Sequence, residues 1–188
     1  MPDLEPHYRD VPPEQLPKRQ HHPLHVVLEN IRSAFNVGSI FRTSDAAAVA
    51  QLHLWGYTAH PPNGKLAKTA LGSMDYVPWS HTWDIQGAIA ALKAANIPIV
   101  GIETQDDAPA HHSFTWPRPV ALVFGNEVGG IDSATLAQCD HVVQIPMQGY
   151  KKSINVATAC GIVVFEILRQ WEACSTETLT APELAKRR

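Results

Sequence analysis

Short apolar runs alternate with helical stretches along most of this chain, and nearly every run ends at a glycine, proline or asparagine. Val120-Ala121-Leu122-Val123-Phe124 is the most apolar and stops at Gly125. The others are His25-Val26-Val27-Leu28-Glu29, Leu52-His53-Leu54-Trp55, residues 97–102 and His141-Val142-Val143-Gln144-Ile145. Runs this short and continuous suit strands buried on both faces. Asn36-Val37-Gly38-Ser39 reads as a turn and helix start, with the helix continuing to Val49. Lys65 to Leu71, Ile85 to Asn96, Ser133 to Cys139 and Ile154 to Trp171 read as further helices. This alternation predicts an α/β fold, a mostly parallel sheet with helices on both faces. Ligands on such sheets bind beyond the carboxyl ends of the strands, so the segments after each strand carry the candidate site.

The flanks read differently. Six prolines (Pro2, Pro6, Pro12, Pro13, Pro17 and Pro23) mark residues 1–23 as an extended arm, because proline removes a backbone donor and disfavours helix before it. Residues 24–173 form the expected domain, and 174–188 a polar tail. With Lys and Arg at 15 and Asp and Glu at 18, the net charge of −3 excludes a uniformly basic coat, though not local basic patches. No apolar run approaches the roughly 18 residues of a membrane helix, and the polar N-terminus lacks a signal-peptide pattern. Cys139, Cys160 and Cys174 form no CxxC pair and suit reduced thiols in the cytoplasm. The His21-His22 and His111-His112 pairs lack zinc-ligand spacing, so no metal site is expected.

Three strand-end segments stand out. The first, residues 30–45, carries Asn30, Arg32, Asn36, Gly38, Arg42 and Asp45, with Asn36 or Ser39 placed to cap a helix. The second is Phe124-Gly125-Asn126-Glu127-Val128-Gly129-Gly130, whose glycines allow a ligand to approach the backbone. The third runs from Ile145-Pro146-Met147 through Lys151-Lys152 to Ser153-Ile154-Asn155-Val156, with Ser153 as the expected cap of the last helix. Asn155, a poor helix former, has no evident role in that reading. Neither GxGxxG nor a phosphate loop is present, which argues against a dinucleotide-dependent metabolic enzyme.

In this order, the segments resemble the three motifs of the SpoU (TrmH-like) branch of the SPOUT RNA methyltransferases. The matching strings are Asn36-x-Gly38 with Arg42-Thr43-x-Asp45, Phe124-Gly125-Asn126-Glu127-x-Gly129, and Ile145-Pro146-Met147 followed by Ser153-Ile154-Asn155-Val156. With Arg169-Gln170, the likeness covers about residues 25 to 172. Ile154 and Ala157 stand where many members have leucine and serine.

The resemblance implies an α/β domain with a C-terminal trefoil knot. It implies a homodimer with an active site at the interface, and S-adenosylmethionine bound in bent form within the knot. The reaction implied is methylation of a ribose 2′-hydroxyl in tRNA or rRNA. It points to Arg42, Asn36, Glu127, Ser153 and Asn155 as catalytic. Thr104, Gly125, Asn126, Ile145, Met147 and Ile154 would surround the cofactor. Arg32, Lys151 and Lys152 are the candidates for RNA contacts, with Lys18, Arg19, His21, His22 and His25 further phosphate candidates. The short arm and Leu28-Glu29-Asn30 look more like the tRNA-modifying members. An rRNA methyltransferase or a non-catalytic RNA-binding relative are the alternatives. A guanidinium stays protonated, so Arg42 suits charge stabilisation better than proton removal, leaving the proton to Glu127 or water.

Overall fold

A computed structural model describes residues 20–173. The arm up to residue 19, with Lys18 and Arg19, and the tail with Cys174 lie outside the described residues. The elements in chain order are β1 (His22–Glu29), α1 (Ala34–Ala46), β2 (Val49–Trp55), α2 (Gly64–Ala70) and β3 (Trp79–Thr82). They continue with α3 (Ile85–Ala94), β4 (Ile99–Ile102), β5 (Val120–Phe124), α4 (Ser133–Leu136), β6 (His141–Val143) and α5 (Val156–Gln170).

The strands form one six-stranded sheet in the order β3-β2-β1-β5-β4-β6, and every pairing is parallel. Leu28 on β1 pairs with Leu54 on β2 and with Phe124 on β5. Alternate residues of these strands serve opposite faces. Leu24, Val26, Leu28, Val120, Leu122 and Phe124 pack with α1, α2 and α5. Val27, Ala121 and Val123 pack with α3 and with Ile131. The chain leaves β1 toward β2 and β3 on one side, whereas β5, β4 and β6 lie on the other. The order therefore reverses between β1 and β5, the place where open parallel sheets hold ligands.

Several expectations need correction. β3 has no apolar run to betray it: Trp79-Ser80-His81-Thr82 is half-buried edge strand. β1 starts at His22, inside the segment read as arm, and β2 starts at Val49, where α1 was expected to end. Ser33 caps α1, its hydroxyl accepting from the Asn36 N–H, in place of Asn36 or Ser39. Asn155, not Ser153, caps α5: its Oδ1 accepts from the N–H groups of Ala157 and Thr158. That gives the awkward asparagine its local reason. Burial pushes the Cys139 thiol up to about 11 and Cys160 up to about 12, so neither is a thiolate at neutral pH.

Gly38 is the closest crossing of α1 and α2. A Cβ there would sit 2.1 Å from Thr69 Oγ1 and 2.4 Å from the Leu66 carbonyl oxygen. Gly38→Ala should therefore lower stability by about 1–3 kcal/mol in urea unfolding, against the gain of up to about 1 kcal/mol that alanine brings to an open helix.

His53 and His25 stand 3.0 Å apart, Nε2 to Nδ1, between β2 and β1. Burial, then the neighbouring His25, pushes His53 down to about 4. Between the ordinary value of 6.5 and that value, the unfolded chain holds a proton that the folded chain does not. Stability from this group is thus full above pH 6.5 and falls as pH drops toward 4, by about 3 kcal/mol in all. Subtracting the pH–stability profile of His53→Gln from that of the native chain should isolate this window.

Candidate active site

The loops after β1 and β5 meet at the switch point. Glu127, just beyond β5, reaches across to the start of α1. Its Oε2 accepts from the Arg32 N–H at 2.8 Å, and its Oε1 from the Ser33 N–H at 3.1 Å and Asn36 Nδ2 at 2.8 Å. The positive end of α1 adds to the attraction. Burial raises the Glu127 carboxyl, but the hydrogen bonds from Arg32, its own N–H, Asn36 and Ser33 outweigh it and hold it below its ordinary value. Glu127 is therefore an anion at neutral pH with both oxygens engaged, which makes it a poor proton acceptor.

Asn36 extends the cluster. Because its Nδ2 donates to Glu127, its Oδ1 is left to accept from Asn155 Nδ2 at 3.0 Å. Asn155 in turn holds the first N–H groups of α5 through its own Oδ1. One amide chain thus runs from the N-terminus of α5 to the Glu127 carboxylate, every donor directed the same way, an arrangement in which each bond polarises the next. A depression of about 390 Å³ opens beside it, lined by Arg32, Ser33, Asn36 and Glu127.

The loop bearing Glu127 is built from within. Asn126 Oδ1 accepts from the N–H groups of Val128 and Gly129, while its Nδ2 donates to the Asn30 carbonyl and the Tyr57 hydroxyl. Both ends of this side chain are occupied, and its backbone N–H and carbonyl pair with those of Gly130, so Asn126 shapes the loop from within. Gly125 has a similar internal reason: a Cβ there would lie 2.2 Å from backbone atoms of Gly130 and Ile131. What approaches Gly125 is its own loop.

Two carboxylates to which the sequence reading gave no place in the site complete the support. Glu103 accepts from the N–H groups of Ile131 and Thr104. Glu29, fully buried at the end of β1, accepts from the Thr135 hydroxyl and the Asp132 N–H. Burial raises the Glu29 carboxyl despite those bonds. An acid ending an otherwise apolar strand, close to where a glycine-rich loop returns, was the available signal.

The third segment lies alongside. Thr104 Oγ1 donates to the Lys152 carbonyl at 3.4 Å, joining the loop after β4 to residues 145–154. Among the described residues, the backbone from Ile145 to Ile154 makes no hydrogen bond to other backbone. Apart from the Lys152 carbonyl, its backbone donors and acceptors are available to a ligand. Ile145 and Met147 are half-buried, and Ile154 is exposed. A mostly apolar wall with uncommitted backbone groups fits an adenine and its ribose. Lys151, Lys152 and Ser153 are exposed beside it.

Arg42 is not in this cluster. It lies six residues beyond Asn36 on α1, about 9 Å along the axis and about 120° around it. It is exposed on the stripe that also carries Phe35 and Ala46. Ser153 likewise makes no hydrogen bond to Glu127, Asn36 or Asn155.

A parallel α/β fold whose strand-end loops converge at the β1/β5 switch point, with an amide chain joining them, is the architecture of a methyltransferase of the SpoU kind. The match to the SpoU rRNA Methylase family model over residues 23–165 makes this definite: the chain belongs to that family. It is 31% identical to the tRNA (guanosine(18)-2′-O)-methyltransferase of Thermus thermophilus over 84% of this chain and 80% of that one. It is 34% identical to the 23S rRNA (guanosine-2′-O-)-methyltransferase of Nitrosomonas europaea, over 84% of this chain and 60% of that one. Among solved structures, the SpoU methyltransferase AviRb of Streptomyces viridochromogenes in complex with AdoMet superposes with a TM-score of 0.75. That match has 28% identity and covers 85% of this chain and 64% of AviRb. The A. aeolicus TrmH/SpoU tRNA modifying enzyme also gives a TM-score of 0.75, at 27% identity, covering 90% of this chain and 86% of that one.

Proposed function

We propose that this chain transfers a methyl group from S-adenosylmethionine to a ribose 2′-hydroxyl of RNA, with tRNA as substrate. It would act as a cytoplasmic homodimer whose active site lies at the interface. The observation that carries the reading is the hydrogen-bonded series Glu127–Asn36–Asn155, which joins one residue from each of the three motif segments. The tRNA assignment draws on the likeness to the Thermus thermophilus and A. aeolicus tRNA enzymes.

The homodimer is supported by exposed apolar side chains on α5 and α1: Ile162, Phe165 and Phe35. Ile162 and Phe165 stand one turn apart on α5, and adjoining exposed apolar side chains suit a protein contact. The trefoil knot is supported by the way the chain after β6 is tied to the long β4–β5 connection. Gln144 bonds to Ala108, Pro109 and His111, and Gln170 and Trp171 at the end of α5 bond to Phe114 and Trp116.

In the reaction the 2′-oxygen attacks the methyl carbon in line, the carbon–sulfur bond breaks, and the hydroxyl proton leaves to water. S-adenosylhomocysteine departs neutral at sulfur. Thr104, Gly125, Asn126, Ile145, Met147 and Ile154 would enclose the donor, largely through backbone groups. Glu127, Asn36 and Asn155 hold the loops in register, and Ser153 faces the donor. Arg32, Lys151 and Lys152 would take phosphates. Arg42 of one subunit would reach the site of the other and stabilise the developing alkoxide; its placement away from Asn36 on α1 favours that division. Alignment of this kind is worth several kcal/mol.

The test is methyl transfer from radiolabelled S-adenosylmethionine to separated, undermodified tRNA and rRNA. Label in 2′-O-methyl nucleosides of tRNA is the expected result. Label confined to rRNA would move the substrate, and label in neither would reject the enzymatic reading for these RNAs.

A further inference from the structure

A second recess, about 290 Å³, opens where β2 and β3 end, and nothing in the reaction above uses it. Its walls include Tyr57, His60, His81 and Trp83, with Asn63 at the rim, and no leucine, isoleucine, valine or methionine lines it. Trp83 is 72% exposed and Tyr57 52%. Large rings left in water this way mark a contact surface.

The histidine and tyrosine rings are held by hydrogen bonds. His81 Nε2 is hydrogen-bonded to the Gly56 carbonyl at 2.9 Å, and His60 Nδ1 to that of Pro61 at 3.0 Å. His60 and His81 lie with centroids 4.2 Å apart, and Trp83 meets His81 edge-on at 5.6 Å. The Tyr57 hydroxyl accepts from Asn126 Nδ2 at 2.8 Å, which fastens this recess to the loop carrying Glu127. Because the sheet is parallel, both recesses open at the same edge of it.

The charges around it suit a polyanion. Lys65 and Lys68 are exposed on α2, which begins directly after Asn63. The nearest acid in sequence, Asp84, turns its carboxylate to the Gly87 N–H at the start of α3. Exposed π-faces with lysines on the adjoining helix are what unpaired RNA bases stack on.

We propose that this recess stacks an unpaired RNA base flanking the methylated nucleotide, with Trp83 as its main platform. The proposal rests on the RNA methyltransferase reading. Two measurements separate their fates. The first is fluorescence anisotropy of a labelled single-stranded RNA of about ten nucleotides with the native chain, Trp83→Ala, Trp83→Leu and Trp83→Phe. The second is methyl transfer to undermodified tRNA with the same four proteins. Alanine and leucine should weaken RNA binding and raise KM for tRNA about tenfold, leaving kcat and the Kd for S-adenosylmethionine unchanged; phenylalanine should restore both. Leucine equal to phenylalanine would mean apolar packing without ring stacking and overturn the proposal, as would equal RNA binding by all four or none by the native chain. A native chain that binds RNA through Trp83 yet methylates none would keep the stacking site and sink the reaction.

Discussion

Glu127→Gln should lower kcat for methyl transfer by at least about a hundredfold, while the melting temperature falls by only a few degrees. The isosteric amide keeps the volume but replaces one acceptor oxygen with a donor. At least one of the three groups now bound by Glu127, the N–H of Arg32, the N–H of Ser33 or Nδ2 of Asn36, then faces another donor. The cost falls on loop register, since Glu127 is the junction of the β1 and β5 loops. Asn36→Asp should be at least as damaging, because it sets a second negative charge 2.8 Å from the first position. A pH profile distinguishes this positioning role from proton abstraction. The Glu127 carboxyl sits below its ordinary 4.5, so its contribution to stability is full above that value and is lost as pH falls through the folded value. If Glu127 were instead the base, Glu127→Gln would be inactive at every pH, with unaltered binding of both substrates.

The second large effect belongs to Arg42. Arg42→Ala should reduce kcat by about 10²- to 10³-fold with little change in the Kd for S-adenosylmethionine. Arg42→Lys should recover only part of this, because lysine keeps the charge and loses the planar fork. Mixed subunits test where the guanidinium acts. In a symmetric dimer of one Arg42→Ala and one Glu127→Gln chain, a site shared between subunits has one copy with both residues native. Random mixing of the two inactive variants should then restore about a quarter of native activity. Sites confined to single chains would stay dead in the mixture.

Much of this site was legible because its chemistry sits in short strings after strands. Asn36, Glu127 and Asn155 could be picked from sequence, and the structure joins all three by hydrogen bonds. Their roles were less legible, because a role depends on which atom faces which. Gly125 looked like an opening for ligand and is instead met by its own loop's backbone. Asn126 likewise looked free for the cofactor, and its amide is consumed at both ends. The roles of Glu29 and Glu103 were hidden because their partners, Asp132 and Thr135 for one and Ile131 for the other, lie far along the chain. β3 was missed because an edge strand half in water needs no apolar run.

The amide chain that joins Asn155 to Asn36 and Glu127 spans 119 and 91 residues of sequence. Contacts that distant close late, after the intervening chain has been ordered. A nascent polypeptide still missing α5 can pair β1 with β5 yet has nothing to complete the register of its loops. During translation the unfinished protein emerges beside ribosomal and transfer RNA, both rich in ribose hydroxyls. If Asn155 sets that register, its ability to act on them begins only when α5 has emerged and docked.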